Sequence, residues 1–501
     1  MTWLMKKRFH QIELFIKYPY EVQRECLQTL LNDAKHTEYG TKYNYAGITN
    51  YEQYKNTVPI VNYETLQPYI NRCMQGEQNI LWHEDIVFFA KSSGTTEHRS
   101  KYIPVSKSTL ENCHYKGGKD MITLYCMNNE NTQLFTGKNL ALGGSLKIND
   151  LRNDTNSYAG DLSAIVMQNL PFWAEFYRAP KIDVALLDNW DEKLEQLYAT
   201  CVNENIVSLS GVPSWMLVLC KHVLTQSGKT NVHELWPNVE VFFNGGINFA
   251  PYQQQFKELF PADKMRFYQL YSASEGFFGI QDSNTYNDML LMLDYGVFYE
   301  FATIDANGNV NTDAVMLDSV LLNVCYALII TTNGGLWRYA IGDTIMFTSL
   351  APHRFKIVGR TKHFINAFGE ELMVHNADEA LQNTCTQLGA VLTEYTAAPL
   401  FMGNNAKGRH EWLIEFEVVP NNIEEFTHLL DAKLMLLNSD YEAKRSKSLL
   451  LQMPLVTVVA KGTFYNWLSK NNKLGGQYKI PRLSNSRVYY EEILLCNFIK
   501  N

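Results

Sequence analysis

A chain of 501 residues is too long for one ordinary core and long enough for two or three domains. With 46% hydrophobic and 19% charged residues it falls among globular proteins, not disordered or fibrous ones. Its net charge of −8 argues against nucleic acid as the main partner, because that binding draws on cations set against phosphates.

The nine cysteines (Cys26, Cys73, Cys113, Cys126, Cys201, Cys220, Cys325, Cys385 and Cys496) never fall at C-x-x-C spacing. That disfavours zinc ribbons and redox pairs and predicts reduced thiols. The first residues, MTWLMKKRFHQIELFIKYPYE, hold no continuous apolar stretch of the signal-peptide kind. The longest apolar run, Val320 to Ile330, is interrupted by Asn323 and is too short to span a bilayer. A cytoplasmic location without a membrane partner is the expectation.

Residues 1 to about 36 place Ile12, Leu14, Phe15, Leu27, Leu30 and Leu31 near the helical period, which predicts helix. Strand-like runs then recur, each expected to lead through a polar loop into a helix. IVFFA precedes SSGTT, NIVSLSG precedes VPSWMLVLCKHVL, VEVFFN precedes GGINFAPYQQQFKELF, and KMRFYQLY precedes SASEG. The pattern predicts an α/β fold with much parallel sheet, in which ligands sit beyond the carboxyl ends of the strands. From Phe355, FKIVGRTKHFINAFGEELM predicts a strand, a polar turn, a short strand and a helix start. A smaller domain of mixed helix and strand follows. The expected division is 1–358 and 359–501.

Four segments carry chemistry. Ser92, Ser93, Gly94, Thr95 and Thr96, with Lys101 after them, read either as a surface loop or as a phosphate cradle of hydroxyls, amides and a cation. Ser272-Ala273-Ser274-Glu275-Gly276 is near a nucleophile elbow, but Ser272 stands where that turn favours glycine. A serine hydrolase would also need a histidine, and His363, His375 and His410 lie downstream without a telling context. Alternatively Glu275 is a divalent-metal ligand at a strand end, or a plain loop acid. Asp343 follows Gly342 in an expected turn between apolar segments, suited to ribose hydroxyls or to an Asx-turn. Lys461 to Arg487 holds six basic residues and no acid, which reads as a basic surface segment or as a mobile cationic loop for a polyphosphate. SGKT at Ser227 to Thr230 is no P-loop, since Val223 occupies the position of its first glycine; a helix-terminating turn is expected there.

Taken together and in this order, the segments resemble the auxin-responsive promoter (GH-three) family of acyl acid amido synthetases, within the adenylate-forming superfamily. Ser92 to Thr96 with Lys101 is similar to the family's phosphate motif. Tyr271 to Glu275 is similar to its Tyr-Gly-Ser-Ser-Glu motif, and Tyr339 to Asp343 to Tyr-Arg-x-Gly-Asp. Asn244-Gly245-Gly246 is similar to its adenine loop, and the tail GGQYKIPRLSNSR also matches. Ser272 and Ala340 depart from the family's Gly and Arg.

The resemblance implies a large adenylate-forming domain with mixed and parallel sheets, and a small α+β domain on a hinge near Gly359-Arg360-Thr361-Lys362. It implies ATP and Mg²⁺, a small carboxylic acid, and an amino acid or other amine. Ser92, Ser93, Thr95 and Thr96 are then expected on the phosphates, and Glu275 on Mg²⁺. Asp343 is expected on the ribose, and Gly245, Gly246 and Tyr271 at the adenine. Lys362 is expected among the nucleotide-binding residues and Lys479 as the catalytic lysine. Leu142-Gly143-Gly144-Ser145, Tyr158-Ala159-Gly160 and Val212-Pro213-Ser214 are candidate walls of the acyl pocket, where the sequence marks no cation. An acyl-CoA or acyl-protein ligase would share the first half-reaction, and a serine hydrolase would need no ATP.

Overall fold

Proline breaks the predicted N-terminal helix in two. The helices Trp3–Lys17 and Pro19–Ala34 meet at Tyr18, with Pro19 in the first turn of the second, where a missing N–H costs nothing. In this computed structural model the described residues are 3–92, 101–144, 146–150, 156–187, 189–246, 249–304, 310–360, 364–365, 370, 372–400, 408–438, 441–442, 445, 451–471, 473–474, 480–484 and 486–497. Arg8 ties the first helix to the middle of the chain, reaching Asp120 at 2.6 Å and Asp294 at 2.6 Å.

The strands in chain order are β1 (Phe88–Ser92), β2 (Lys101–Val105), β3 (Lys138–Ala141), β4 (Leu146–Ile148), β5 (Tyr158–Gly160), β6 (Arg178–Ala179) and β7 (Ile206–Gly211). Then come β8 (Val241–Gly245), β9 (Arg266–Ala273), β10 (Gly276–Ile280), β11 (Met289–Leu291), β12 (Val297–Ala302), β13 (Cys325–Thr332), β14 (Tyr339–Leu350) and β15 (His353–Arg360). Last are β16 (Phe364–Ile365), β17 (Leu372–Met373), β18 (Val391–Leu400), β19 (Arg409–Val418) and β20 (Leu455–Val459). One sheet runs β12-β13-β14-β15-β11-β10-β9-β8-β7-β3-β6, and a second runs β2-β1-β5-β4. From β9 to β6 the neighbours are parallel, and from β9 to β12 antiparallel.

The parallel half is a layered helix–sheet–helix arrangement. Leu140, Leu209 and Phe242 pack on one face with Trp215, Leu219 and Phe256 from the helices Pro213–Ser227 and Gln253–Leu259. Val241, Phe243 and Tyr268 pack on the other with Tyr125 of the helix Tyr115–Asn128. The predicted strand–loop–helix pattern holds for β7 and β8. It fails at β1, which returns as the antiparallel β2, and at β9, which turns through Ser274 and Glu275 straight into β10. The reason at β10 is its sequence, GFFGI, buried at every position as a central strand requires. SGKT closes a helix as expected, with Gly228 left-handed at φ 65° just past Ser227.

Beyond β15 the chain builds cores of its own. Leu381, Tyr395, Trp412, Phe426 and Leu430 pack together under the sheet β18-β19-β20, with Phe464, Trp467 and Ile493 in a further cluster. FKIVGRTKHFINAFGEELM contains one strand more than predicted, because β16 pairs with β17 before the helix Val374–Leu388 begins.

Candidate active site

Five consecutive parallel strands align their carboxyl ends, and the predicted loops line up along that edge. Gly143-Gly144 follows β3, Val212-Pro213 follows β7, Gly245-Gly246 closes β8, and Ser274-Glu275 follows β9. Gly245 lies so close to β9 that a Cβ there would sit 2.6 Å from the Leu270 carbonyl oxygen. Gly246 is left-handed at φ 86°, which favours glycine.

Glu275 occupies the hairpin turn between β9 and β10, and at 7% exposed it is more buried than a plain loop acid would be. This hairpin also removes the elbow reading, which needs a helix after the serine. Among the described residues no histidine hydrogen-bonds to Ser272 or Ser274. His375 Nδ1–H donates to the Val358 carbonyl at 2.9 Å, and His410 pairs with Glu370 at 2.7 Å. His363 lies outside the described residues. Cys113 is no nucleophile either. Burial pushes its thiol up to about 12, and its sulfur accepts the Phe277 N–H at 3.1 Å.

Tyr271, on β9, donates its hydroxyl hydrogen to Asp343 Oδ2 at 2.5 Å. Asp343 is not in a turn as expected but inside β14, at a bulge. Ala327 pairs with Thr344 while Ile329 pairs with Ala340, so one strand supplies extra residues, Gly342 among them at φ 89°. Bulges re-aim side chains in this way. The strand's start is anchored by Arg338, which is 2% exposed. Its guanidinium grips Glu300 at 2.8 Å and donates to the carbonyls of Lys55 and Val58 at 2.9 and 2.7 Å. Its carbonyl accepts from Val61 N–H at 3.0 Å, and Ala340 N–H donates to the Val61 carbonyl at 2.8 Å. This packing holds the start of β14 although Ala340 replaces the expected arginine.

β1 and β2 bring Ser92 opposite Lys101, the pair that flanks residues 93–100 of the expected phosphate motif. The Lys101 ammonium lies 5.4 Å from the centre of the Tyr63 ring. Ser93, Thr95, Thr96, Lys362 and Lys479 lie outside the described residues. β5, which contains Tyr158-Ala159-Gly160, runs parallel beside β1. Gly144 N–H donates to Ser163 Oγ at 2.9 Å, and a Cβ at Gly144 would overlap the Asp161 carboxylate. Lys193, 3% exposed, donates to the Gly143 carbonyl at 2.8 Å. The sequence marked no cation at this wall, because Lys193 sits inside an ordinary charged helix, Trp190–Cys201.

The basic segment Lys461 to Arg487 is no free cationic loop over the residues described. Arg482 pairs with Asp378 at 2.7 Å, Arg487 with Glu411 at 2.9 Å and Lys461 with Glu417 at 3.3 Å, while Lys473 lies 5.1 Å from the Trp467 ring centre.

Residues 8–265 match the GH3 family N-terminal domain, residues 290–360 its central domain, and residues 375–488 its C-terminal domain. Probable indole-3-acetic acid-amido synthetase GH3.1 of Arabidopsis thaliana is 22% identical, over 96% of this chain and 91% of its own. The 4-substituted benzoates-glutamate ligase GH3.12 of the same plant is 23% identical, over 95% and 94%. Among solved structures, GH3.15 acyl acid amido synthetase superposes with a TM-score of 0.79 at 17% identity, over 98% of this chain and 96% of that one. A 2-hydroxyisobutyryl-CoA ligase in its postadenylation state shares the fold at a TM-score of 0.57 and 13% identity, over 95% and 91%.

Proposed function

We propose, for a chain that belongs to the GH3 family, an ATP-dependent acid amido synthetase activity. The observation that carries it is the meeting of Tyr271 and Asp343 beside Glu275 and Gly245-Gly246, on the carboxyl edge of a sheet in a chain that matches all three domains of the family. A carboxylate is a poor electrophile and needs a leaving group. In the first half-reaction an oxygen of the acid attacks the α-phosphorus of ATP, the bond to pyrophosphate breaks, and an acyl-adenylate forms. In the second an amine, in this reading that of an amino acid, attacks the acyl carbon. AMP departs and the nitrogen loses a proton.

The first step gathers negative charge on phosphoryl oxygens, so oriented donors and cations matter most. Ser92, Ser93, Thr95 and Thr96 hold the phosphates in this reading, and Lys479 faces the α-phosphate. Asp343, its second oxygen taken by Tyr271, accepts from the ribose. Gly245 and Gly246 let the adenine lie against bare backbone. A divalent ion fits the donor set: Mg²⁺ is held by one or two carboxylates plus phosphates, and Glu275 is a carboxylate at the strand end. Mg²⁺ supplies charge neutralisation on the phosphates when bound.

Residues 1–358 and 359–501 act as two units about Gly359-Arg360-Thr361-Lys362, since activation needs a cation that acyl transfer must clear away. No described helix is long and apolar enough to cross a membrane. Nine free cysteines suit a reducing, cytoplasmic setting.

The test is exchange of labelled pyrophosphate into ATP over a panel of carboxylic acids, followed by an acceptor screen of amino acids, other amines and coenzyme A on the acids that respond. Acid-dependent exchange and amide product are expected. Thioester in place of amide would assign the chain to the CoA-ligase chemistry, and ester hydrolysis without exchange would overturn the reading.

A further inference from the structure

The two units of the chain meet at a buried polar group. Tyr252, six residues beyond Gly246, is 2% exposed and donates its hydroxyl hydrogen to Glu394 Oε2 at 3.0 Å. The same hydroxyl oxygen accepts from Arg482 Nη2–H at 3.1 Å. Arg482 also donates to Asp378 Oδ1 at 2.7 Å and lies 3.2 Å from Glu394 Oε1. Tyr395 O–H donates to Asp378 at 2.7 Å. Around this group, Gln255 donates to the Leu392 carbonyl at 2.7 Å, and the more exposed pair Lys221–Glu417 spans 3.0 Å.

The distribution of charge is the informative part. Arg482, Asp378, Glu394 and Tyr395 all belong to the smaller unit, and they pair with one another. Tyr252 contributes a neutral hydroxyl from the larger one. If the units separate, the ions of this buried group keep their partners and the group loses only the hydroxyl's bonds, while the Lys221–Glu417 pair, 40% and 38% exposed, is divided at little cost because water takes its place. A buried ion pair divided across the interface would leave a charge unpaired and make separation costly. The group therefore holds the units together and still allows them to part.

Arg482 also stands three residues after Lys479. Its segment is stitched to β18, with Ala397 N–H donating to the Arg482 carbonyl at 2.8 Å and Thr396 Oγ1–H to the Pro481 carbonyl at 2.6 Å. The hydroxyl that meets Arg482 thus helps to fix residues 480–484, and it comes from a residue just downstream of the expected adenine loop.

We propose that Tyr252 is a positioning residue for acid activation: by hydrogen-bonding Arg482 and Glu394 it docks residues 480–484, which follow Lys479 directly in the chain, and favours the first half-reaction over the second. This rests on the amido synthetase reading. The variant is Tyr252→Phe, which keeps the ring and removes the bridging hydroxyl.

Acid-dependent pyrophosphate exchange is expected to fall roughly tenfold, the scale of losing hydrogen bonds to charged groups. Amide formation from synthetic acyl-adenylate plus amine is expected to stay at the wild-type rate or rise. A purely structural tyrosine would lower both rates together, and that outcome overturns the proposal. Solution scattering gives a readout independent of activity. The variant is expected to show a larger radius of gyration than wild type, and an unchanged profile with an unchanged ratio of the two rates also overturns the proposal. If wild type exchanges pyrophosphate with no acid, the amido synthetase reading is what fails, and the scattering comparison still decides the docking role.

Discussion

Tyr271 and Asp343 touch although four strand spacings separate them. Between β9 and β14 the sheet order passes through β10, β11 and β15. At roughly 4.8 Å per spacing, a flat sheet would hold the two strands about 19 Å apart. A hydroxyl–carboxylate distance of 2.5 Å therefore requires the antiparallel half of the sheet to curl over onto β9. The rings of Phe278 and Phe355 pack on Tyr271 from within that curl, at 4.9 and 6.1 Å between centres.

Removing this contact is expected to act on nucleotide binding. Tyr271→Phe leaves the Asp343 carboxylate without its buried donor, so its second oxygen is no longer held toward the ribose. The KM for ATP in pyrophosphate exchange is expected to rise about tenfold, since a hydrogen bond to a charged group is worth ~1.5–3 kcal/mol. Exchange measured across a range of ATP concentrations checks this, and an unchanged KM separates Tyr271 from the ribose site.

Glu275→Gln keeps the shape of the turn and removes its charge. Exchange is expected to drop on the order of 10²-fold, the scale of losing an oriented electrostatic group. Titration with Mg²⁺ is the discriminating measurement, because a lost metal ligand shifts the midpoint upward while a lost general electrostatic effect leaves it in place.

Gly245→Ala tests how closely β8 and β9 approach at the adenine loop. Its Cβ would sit 2.6 Å from a backbone oxygen, which cannot rotate away. The strands must separate locally, at a cost of about 1–3 kcal/mol, and ATP binding is expected to weaken with stability. Thermal unfolding with and without ATP reads both effects at once.

Acid should destabilise the fold through buried histidines. Burial lowers His114 to about 4 and His353 to about 4, against an ordinary 6.5. Above pH 6.5 these rings are neutral folded or unfolded and add no pH dependence. As pH falls from 6.5 toward 4, the unfolded chain takes up protons that the folded one refuses, so stability is lost across that window. Melting temperatures measured from pH 7 to pH 4 are expected to fall, and His114→Leu is expected to flatten part of that slope.

Much of this was legible before the structure. Hydroxyls, glycines and acids that interrupt apolar runs mark strand ends, and Gly245, Ser274 and Glu275 do lie at such ends. The β7 and β8 units followed from strand and helix periods in succession. GFFGI after SASEG did not, because a short apolar run has no period that tells strand from helix. The bulge at Asp343 is a mismatch between two strands and leaves no trace in either alone. Arg338 was hidden for a related reason. Its partners Glu300 and Val58 lie 38 and 280 residues away, and no local pattern encodes such a pairing. Nothing local marks Tyr252 within GGINFAPYQQQFKELF, since its partners Glu394 and Arg482 lie far away in the chain.

The exchange of hydrogen bonds between Val61 and the Arg338–Ala340 segment bears on how the protein is made. A ribosome adds roughly 5–20 residues per second, so the chain between these partners takes on the order of a quarter of a minute to a minute to appear. Through that interval Val61 has no β14 to pair with, and Glu300, once synthesised, has no guanidinium to neutralise it. The proposed nucleotide site is thus a late product of translation. Asp343 cannot be set until Val61 has waited for its partner, and a nascent chain released before β14 emerges carries Ser92 and Lys101 without Asp343.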